Sequence, residues 1–370
     1  ITASDSNISL AVGAENKVIY YSRPTSNFPW VFADQLTPLT TETYIDTYGS
    51  FGNYISMNSS GSYMFVSAPD YGSVTTPASN PTDPDIVTQV SYGYVAQFTR
   101  DANGNYLFTR VILNSTPTEE EHFGYKTAVN GNILFIASRG SDTVAPSVVA
   151  YNLVSNTISG VVTLGAGTLI NDLSVSSSNK VAISATNGSV YVYSYVSGTF
   201  TLAQPAITGS GASISILDSS KFGQSVAISR DGTYLAVGAP SYSGVMAQQG
   251  AVLLYKLGTT YQIDDIITSP TPHDSEQFGY HVKFSNTNDK LVVYSYGGHQ
   301  TFDTTLDASA TTFDIGGTRF VEKQEFVGNV RIYEKYNTKF LFADELEVDG
   351  ALGINYGDAL HVTDRVYLGD

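Results

Sequence analysis

Histidine is the side chain most often used as a general base or metal ligand, and the chain contains five histidines. No two of them stand in an H-x-x-x-H or H-E-x-x-H arrangement, which would present two imidazoles to one zinc ion. The chain has neither a G-x-S-x-G nucleophile elbow nor a G-x-x-x-x-G-K phosphate loop. It lacks cysteine, which excludes disulfides, thiolate zinc sites and a cysteine nucleophile. The absence of these catalytic motifs therefore predicts that the protein is not an enzyme.

The net charge argues against two classes of partner. Lys and Arg number 18 against 34 Asp and Glu, so the net charge is −16. Nucleic acids and anionic lipids both attract basic surfaces. No apolar run approaches the roughly 18 residues that a membrane-spanning helix needs. We expect no nucleic-acid partner and no direct membrane insertion, and the acidity suits a basic partner.

The elements that must position any site are the strands of an internal repeat. Phe-Gly begins four similar stretches, and the clearest copy is KFGQSVAISRDGTYLAVGAPSYSG (221–244). Two alternating apolar runs surround a turn in each copy, and a second hairpin follows, as in GAVLLYKLGTTYQIDDIIT (250–268). Alternation of β-branched and aromatic residues predicts four strands per unit, called a, b, c and d. His281 lies in such a run and is interpreted as a packed or surface residue.

Tandem four-stranded units cannot bury both faces alone, whereas stacking them in a closed ring does so. The chain is therefore predicted to be all-β, a β-propeller of four-stranded antiparallel blades forming a single domain over residues 1–370. We expect each Phe to wedge between neighbouring blades and the following Gly to permit close backbone approach. Gly238-Ala239-Pro240 ends strand b, where a Cβ would crowd the ring. The predicted units are approximately 1–42, 51–113, 123–165, 169–208, 222–268, 278–346 and, in part, 356–370.

The number of blades depends on how the two ends are interpreted. The first unit begins inside strand a and the last stops after strand b, so we expect the domain to be excised from a longer chain. Seven blades are favoured, with the last two strands of the seventh beyond residue 370. Six blades are the alternative, with the C-terminal strand completing the first blade.

Residues 222–257 resemble an FG-GAP repeat, the repeat of the integrin α-chain head and of many bacterial, phage and viral surface proteins. The units at Phe51, Phe123 and Phe278 are recognisable, and the unit at 171–200 has lost its Phe-Gly. The resemblance covers nearly the whole chain. It implies a propeller, usually seven-bladed, that binds other macromolecules.

Many FG-GAP proteins bind calcium through a D-x-D-x-D-G loop between strands a and b, where several oxygens surround the ion. The corresponding turns of this chain offer at most one carboxylate each. DANGNY (101–106) comes nearest, but it lacks a distal Glu. Asp231-Gly232 and Asn130-Gly131 are instead typical hairpin turns. We therefore expect no calcium and no other cofactor.

The loop lengths predict which face of the ring carries function. In an up-down blade the a–b and c–d turns share one side, and the b–c and d–a loops share the other. The a–b turns are tight, whereas loops of more than about 12–15 residues are usually functional or disordered. The predicted long loops are 70–92, 240–250 and 296–327 between strands b and c, and 114–122, 203–221 and 269–277 between units.

We expect a surface-exposed binding or adhesion module that recognises protein or glycan through this face, outside the cell or on a cell or virion surface. Tyr and Asp beside Ser, Thr and Gly suit adaptable contacts with either ligand. One alternative is a structural subunit or decoration of an extracellular filament or virion appendage, assembled as a homo-oligomer. A glycan-active enzyme is a third, because two carboxylates need only meet in space. The candidate binding residues are Asp70, Tyr71, Asp83, Asp85, Tyr92, Tyr242, Tyr296, His299, Asp303 and Asp307.

Overall fold

The structure is a computed structural model in which all regular secondary structure within the described residues is β-strand, with no α-helix. Six antiparallel four-stranded sheets follow one another along the chain, each in the order a-b-c-d, and are called blades 1 to 6. No helix in the described part is long and apolar enough to cross a membrane. The structure describes residues 2–3, 9–14, 16–23, 28–37, 40–41, 44–45, 50–76, 86–209, 220–297, 312–315, 318–321, 329–336 and 339–347.

The strands of the six blades have the following bounds. Blades 1 to 3 consist of Thr2–Ala3, Ser9–Ala14, Lys17–Ser22 and Val31–Leu36; Ile55–Met57, Tyr63–Ala68, Tyr94–Arg100 and Tyr106–Ile112; and Phe123–Asn130, Ile133–Ser138, Ser147–Asn152 and Thr157–Thr163. Blades 4 to 6 consist of Ile170–Val175, Lys180–Ala185, Ser189–Val196 and Thr199–Leu202; Ser225–Ile228, Tyr234–Ala239, Ala251–Leu257 and Tyr261–Ile267; and Phe278–Phe284, Lys290–Ser295, Asn329–Tyr336 and Lys339–Glu347.

Three two-stranded ribbons lie between these strands. One belongs to the predicted long loop of blade 2 and another to that of blade 6, so both loops contain regular structure. The third lies between blades 1 and 2. The predicted seventh unit, 356–370, lies outside the described residues. The ribbons pair Ser73–Thr76 with Ile86–Gln89, Thr312–Ile315 with Thr318–Val321, and Thr40–Thr41 with Tyr44–Ile45.

The apolar core is divided among the spaces between successive blades. Five clusters of buried side chains each join two consecutive sheets, and a Phe of the Phe-Gly motif belongs to four of them. Phe278, fully buried at the start of blade 6, packs in one cluster with Tyr234 and Leu254 of blade 5. Burying a Phe side chain stabilises a protein by about 1.5–3 kcal/mol. The predicted wedge between blades is therefore confirmed.

The Phe-Gly pair also forms a turn that the sequence did not reveal. Gly occupies the third position of this turn and has positive φ, as a type II turn requires. The N–H of the residue after Gly donates a hydrogen bond to the carbonyl oxygen of the residue before Phe, at 3.0–3.2 Å. The residue before Phe also has positive φ, in the range 52–57°. Close approach, the predicted reason for Gly, holds at Gly279, where a Cβ would lie 2.7 Å from the Ala251 carbonyl oxygen. Gly223 has space for a Cβ, so there the backbone angle alone selects Gly.

Blade 4 shows how the ring accommodates the unit that lost its Phe-Gly. Ile170 takes the place of Phe and is fully buried in the cluster between blades 3 and 4. Asn171 takes the place of Gly, and its Nδ2 donates to the Gly223 carbonyl oxygen of blade 5 at 3.0 Å. A smaller apolar wedge and a side-chain hydrogen bond thus replace the motif.

The a–b turns form a hydrogen-bonded belt on the face opposite the long loops. Asn130 donates from Nδ2 to the Ser177 carbonyl oxygen at 3.0 Å, and the Ser177 N–H donates to the Arg230 carbonyl oxygen at 2.7 Å. The Arg230 N–H in turn donates to Asn288 Oδ1 at 2.7 Å. The Asp231 carboxylate accepts from the Ser229 hydroxyl and the Thr233 N–H, so it serves as a turn acceptor. The belt fixes the spacing of strands a in blades 3 to 6, which contact one another in succession and are therefore the inner strands of the ring.

Candidate binding face

The predicted long loops meet through backbone hydrogen bonds, and the loop face is defined by these contacts. Before blade 3, the N–H groups of His122 and Phe123 donate to the carbonyl oxygens of Ser91 and Tyr92, each at 3.0 Å. The same pattern precedes blade 6, where Gln277 and Phe278 donate to Gln248 and Gln249, again at 3.0 Å. The described parts of these b–c and d–a loops therefore lie together on one side of the ring.

Asp70 anchors the first long loop. Its Oδ1 lies 2.9 Å from His122 Nδ1, and its Oδ2 accepts from the Ser50 hydroxyl at 2.5 Å. The His122 hydrogen bond, with smaller contributions from Ser50 and nearby positive charge, lowers the pKa of the Asp70 carboxyl despite partial burial. Asp70 stands between Ser50 and His122, whereas a hydrolytic triad requires the imidazole to stand between acid and hydroxyl. The group is built to hold loops together.

A buried glutamate lies two residues before Phe at both junctions. Glu276 is fully buried, hydrogen-bonded to the Arg331 guanidinium of strand c and 3.3 Å from the Ser295 hydroxyl. Glu121 is 5% exposed, and its Oε2 accepts from Asn114 at 2.9 Å. Glu121 Oε1 is buried without a hydrogen-bond partner among the described residues. Burial raises the pKa of Glu121 to about 7, and the hydrogen bond from Asn114 opposes this only in part.

The mouth of the central channel is a second part of the face. In blades 3 to 6 one residue of strand a pairs with the penultimate residue of strand b. In blade 2 the N–H of Ser67, the penultimate residue of strand b, donates to the Tyr54 carbonyl oxygen, so Tyr54 lies at the equivalent level. Five consecutive strands a therefore place one residue each at the same height around the ring, although Ser225 is fully buried and donates its hydroxyl to the Gly279 carbonyl oxygen. These residues are Tyr54, Lys126, Asp172, Ser225 and His281.

These side chains influence one another electrostatically. Lys126 Nζ lies 4.5 Å above the Tyr54 ring, a cation–π contact. Asp172 is nearly buried, and its two carboxylate oxygens accept from the N–H groups of Leu173 and Val226 at 2.9 and 3.1 Å. Burial lowers the pKa of His281, with the charge of Asp172 opposing this and that of Lys126 adding to it. The His281 side chain is nevertheless exposed to solvent, in agreement with its interpretation as a packed or surface residue.

Aromatic rings extend the mouth toward blade 6. Tyr280 stacks on Tyr296 with ring centroids 5.0 Å apart and an angle of 29°. Tyr280 also meets the His281 ring edge-on at 5.3 Å. Tyr296 is 54% exposed. Stacked aromatic surface next to charged groups can hold either a peptide side chain or a sugar ring.

The structure places five of the ten candidate residues. Asp70 forms the loop anchor and Tyr296 belongs to the exposed aromatic group. Tyr71 and Tyr242 are equivalent anchors, partly buried against the clusters of blades 1–2 and 4–5 respectively. Tyr92 is partly buried beside the tight backbone of Gly72. Asp83, Asp85, His299, Asp303 and Asp307 lie outside the described residues, so their roles stay predictions.

Sequence reasoning missed the two buried glutamates and the channel residues. The signal for the first was a repeated E-x-F-G, present as EHFG (121–124) and EQFG (276–279). The channel residues follow the Phe-Gly position in each unit, but their shared level depends on the strand register. Among the described residues no group of three or more His, Asp or Glu side chains is placed to hold a metal ion. The absence of a cofactor stays a prediction.

The fold and the arrangement of its loops define the class of the protein, a β-propeller. No protein-family model matches the chain, and no curated protein matches it in sequence.

Solved structures show the same architecture at low sequence identity. A chain of the crystal structure of the mitotic checkpoint complex is similar over 93% of this chain and 75% of its own, with 11% identity and a TM-score of 0.54. A functionally unknown protein from Desulfotomaculum acetoxidans is similar over 92% of this chain and 80% of its own, with 9% identity and a TM-score of 0.55. Chaetomium thermophilum Sqt1, solved bound to the N-terminus of ribosomal protein L10, is similar over 92% and 71%, with 12% identity and a TM-score of 0.51. These likenesses concern the fold alone.

Proposed function

We propose that the protein is a non-catalytic binding module that recognises a protein partner through the loop face and the channel mouth. The observation that carries this proposal is the bracing of the b–c and d–a loops against each other on one side of the ring. Braced loops lose little conformational freedom on binding, which favours affinity. The structure of Sqt1 bound to the N-terminus of ribosomal protein L10 offers a propeller precedent for peptide recognition.

Charge selects the chemistry of the partner. The six long-loop segments contain 14 Asp and Glu against three Lys and Arg, and of the 14 acids Glu121 and Glu276 are buried. An acidic face attracts a basic partner and accelerates their encounter. It also repels acidic polysaccharides, so a basic protein fits this face better than an acidic glycan does. The resemblance to FG-GAP repeats supports a location outside the cell or on a virion surface, and this function requires no cofactor.

The experiment removes the ribbon of blade 2 without disturbing its base. The Val90 N–H donates to the Gly72 carbonyl oxygen at 3.0 Å, so an Asn-Gly turn can replace residues 73–89. The probes are a displayed library of small folded domains and a glycan array. We expect the library to yield binders that lose affinity for the shortened variant at an unchanged melting temperature, and the glycan array to stay blank. Binders indifferent both to the deletion and to substitutions elsewhere on the loop face, or glycan cleavage products, would contradict the proposal.

A structural subunit is the second candidate, because the outer strands d expose aromatic rings. Phe32, Phe108 and Phe342 are all exposed at equivalent places in blades 1, 2 and 6. Such rings suit lateral contact between copies. Concentration-dependent assembly in sedimentation, lost in Phe108→Ser, would favour this role over a free receptor.

A further inference from the structure

The b–c loop of blade 5, residues 240–250, carries an exposed apolar tip formed by Val245 and Met246. Val245 is 84% exposed and Met246 is 39% exposed. Single exposed apolar residues are common on protein surfaces and need no explanation. Val245 and Met246, together called the blade 5 tip, differ because they are adjacent and because several hydrogen bonds fix the backbone of their loop.

Side-chain acceptors hold the tip from within the loop and from the next one. The N–H groups of Met246 and Gln248 donate to Gln249 Oε1 and the Ser243 hydroxyl oxygen, at 2.7 and 2.9 Å. The Ala247 N–H donates to Asp274 Oδ1 at 2.9 Å. Gln249 is buried, so the acceptor that holds Met246 is itself fixed in place.

The base of the tip is anchored in the core. The Tyr242 ring packs against the apolar cluster between blades 4 and 5, and the Tyr242 carbonyl oxygen accepts from the Gly250 N–H at 2.9 Å. Ser275 donates from its N–H to the Ala247 carbonyl oxygen at 2.8 Å. Beneath Ser275 lies the buried Glu276–Arg331 pair. The tip is therefore preformed and does not need to fold on binding.

The tip adjoins the aromatic part of the channel mouth. The segment 274–276 separates it from Gly297, whose N–H donates to the Glu276 carbonyl oxygen at 3.0 Å. Tyr296 precedes this glycine and stacks on Tyr280. The tip and the aromatic pair thus lie on either side of the segment 274–276. Asp274, exposed between them, adds a negative charge.

This composition distinguishes the class of ligand. Val and Met offer no hydrogen bonds to sugar hydroxyls, whereas an apolar side chain entering a desolvated pocket is typical of protein–protein hot spots. Met adapts its shape to the pocket that receives it. The exposed Asp274 carboxylate beside the tip and the net charge of −16 favour a partner surface with Lys and Arg.

We propose that the blade 5 tip is the apolar anchor of the loop face, and that the partner is a protein with an apolar pocket bordered by Lys and Arg. This inference rests on the proposed function. Val245 enters the pocket, Met246 lines its edge, and Asp274 pairs with a basic residue at the border.

The test uses Val245→Asp, with Val154→Asp as the matched control. Val154 is 71% exposed in a c–d turn of blade 3, on the opposite face. Binders are selected on the full chain from the displayed library of folded domains, and their dissociation constants are measured against both variants. Most independent binders should lose about tenfold or more of their affinity for Val245→Asp, as expected for a hot spot, and little for Val154→Asp. Their sequences should be enriched in Lys and Arg, and their affinity should fall with added salt.

The outcomes separate this inference from the proposed function. Binders that require the blade 2 ribbon but bind Val245→Asp as tightly as the wild type overturn the tip and leave the loop face standing. A library that yields no binders dependent on either feature overturns both. Selected binders of acidic or neutral composition overturn the basic partner.

Discussion

The junction between blades 2 and 3 and the junction between blades 5 and 6 share a backbone but distribute charge differently. At the first, Asp70 is hydrogen-bonded to His122 at the partly exposed loop base, and the buried Glu121 lacks a cationic partner among the described residues. At the second, Ser241 and Gln277 occupy the positions of Asp70 and His122, and the buried Glu276 pairs with Arg331. Val149 stands in blade 3 where Arg331 stands in blade 6, by strand register. Two junctions with the same backbone turn therefore accommodate either a partly exposed or a buried pair of polar side chains.

The difference teaches where each junction keeps its stability. A buried ion pair contributes little over an apolar replacement, yet removing one partner leaves an uncompensated buried charge. A partly exposed pair is screened and contributes little in either case. The junction under the blade 5 tip is therefore the one that a single substitution disrupts most.

The largest expected effect comes from breaking the buried pair. Arg331→Met removes the guanidinium from the buried Glu276 carboxylate, whose Oε2 lies 3.7 Å from His273 Nδ1, beyond hydrogen-bond distance. The loss should lower the free energy of unfolding by about 3–5 kcal/mol. Urea denaturation of the purified chain measures it. Adding Glu276→Gln to Arg331→Met should restore most of the loss, because no buried charge then remains. An equal loss in the single and double variants would show that packing of the guanidinium, rather than charge, is what matters.

An intermediate effect concerns the pH dependence at Glu121. The folded-state pKa of Glu121 is about 7 against an ordinary value of 4.5, so the folded state binds the proton more tightly. Its contribution is favourable below pH 4.5 and is lost as the pH rises to about 7, by roughly 1–3 kcal/mol. Glu121→Gln should therefore be more stable than the wild type at pH 8, with the advantage shrinking toward pH 5.

The exposed neighbour Glu120 provides the control for this measurement. Glu120→Gln removes the same charge from the same loop without removing a buried carboxylate. Its stability relative to the wild type should stay nearly constant between pH 5 and 8. A pH dependence shared by both variants would assign the effect to net charge.

The smallest expected effect comes from copying one junction into the other. His122→Gln gives blade 3 the residue that precedes Phe in blade 6 and removes the partner of Asp70. The loss should be about 0.2–1 kcal/mol near neutral pH, as for an exposed pair. Because His122 lowers the pKa of Asp70, this loss should vanish as the pH falls and Asp70 becomes protonated. Gln277→His, which faces Ser241 instead of an aspartate, should gain nothing.

Local pattern was sufficient to predict the strands, the wedge role of Phe and the side on which loops accumulate. Alternating apolar residues and turn residues lie within a few positions of one another, so the role of Phe278 and the hairpins of its blade could be predicted. The pairing of Glu276 was not, because Arg331 lies far along the chain and reaches it only through strand register. The position of Asp172 at the same height as Lys126 and His281 could not be predicted for a similar reason. Asp172 lies two residues after the wedge residue of its blade, whereas Lys126 and His281 lie three residues after theirs.

The Phe wedge means that the sequence repeat and the packing unit have different boundaries. Phe222 begins the fifth unit, yet it fills the gap behind the fourth sheet together with Val192. A fragment cut just before a Phe-Gly would therefore leave an apolar sheet face open to self-association. Fragments that continue through the next strand a would cover this apolar face with their own Phe, and would be the better choice for expressing part of the ring.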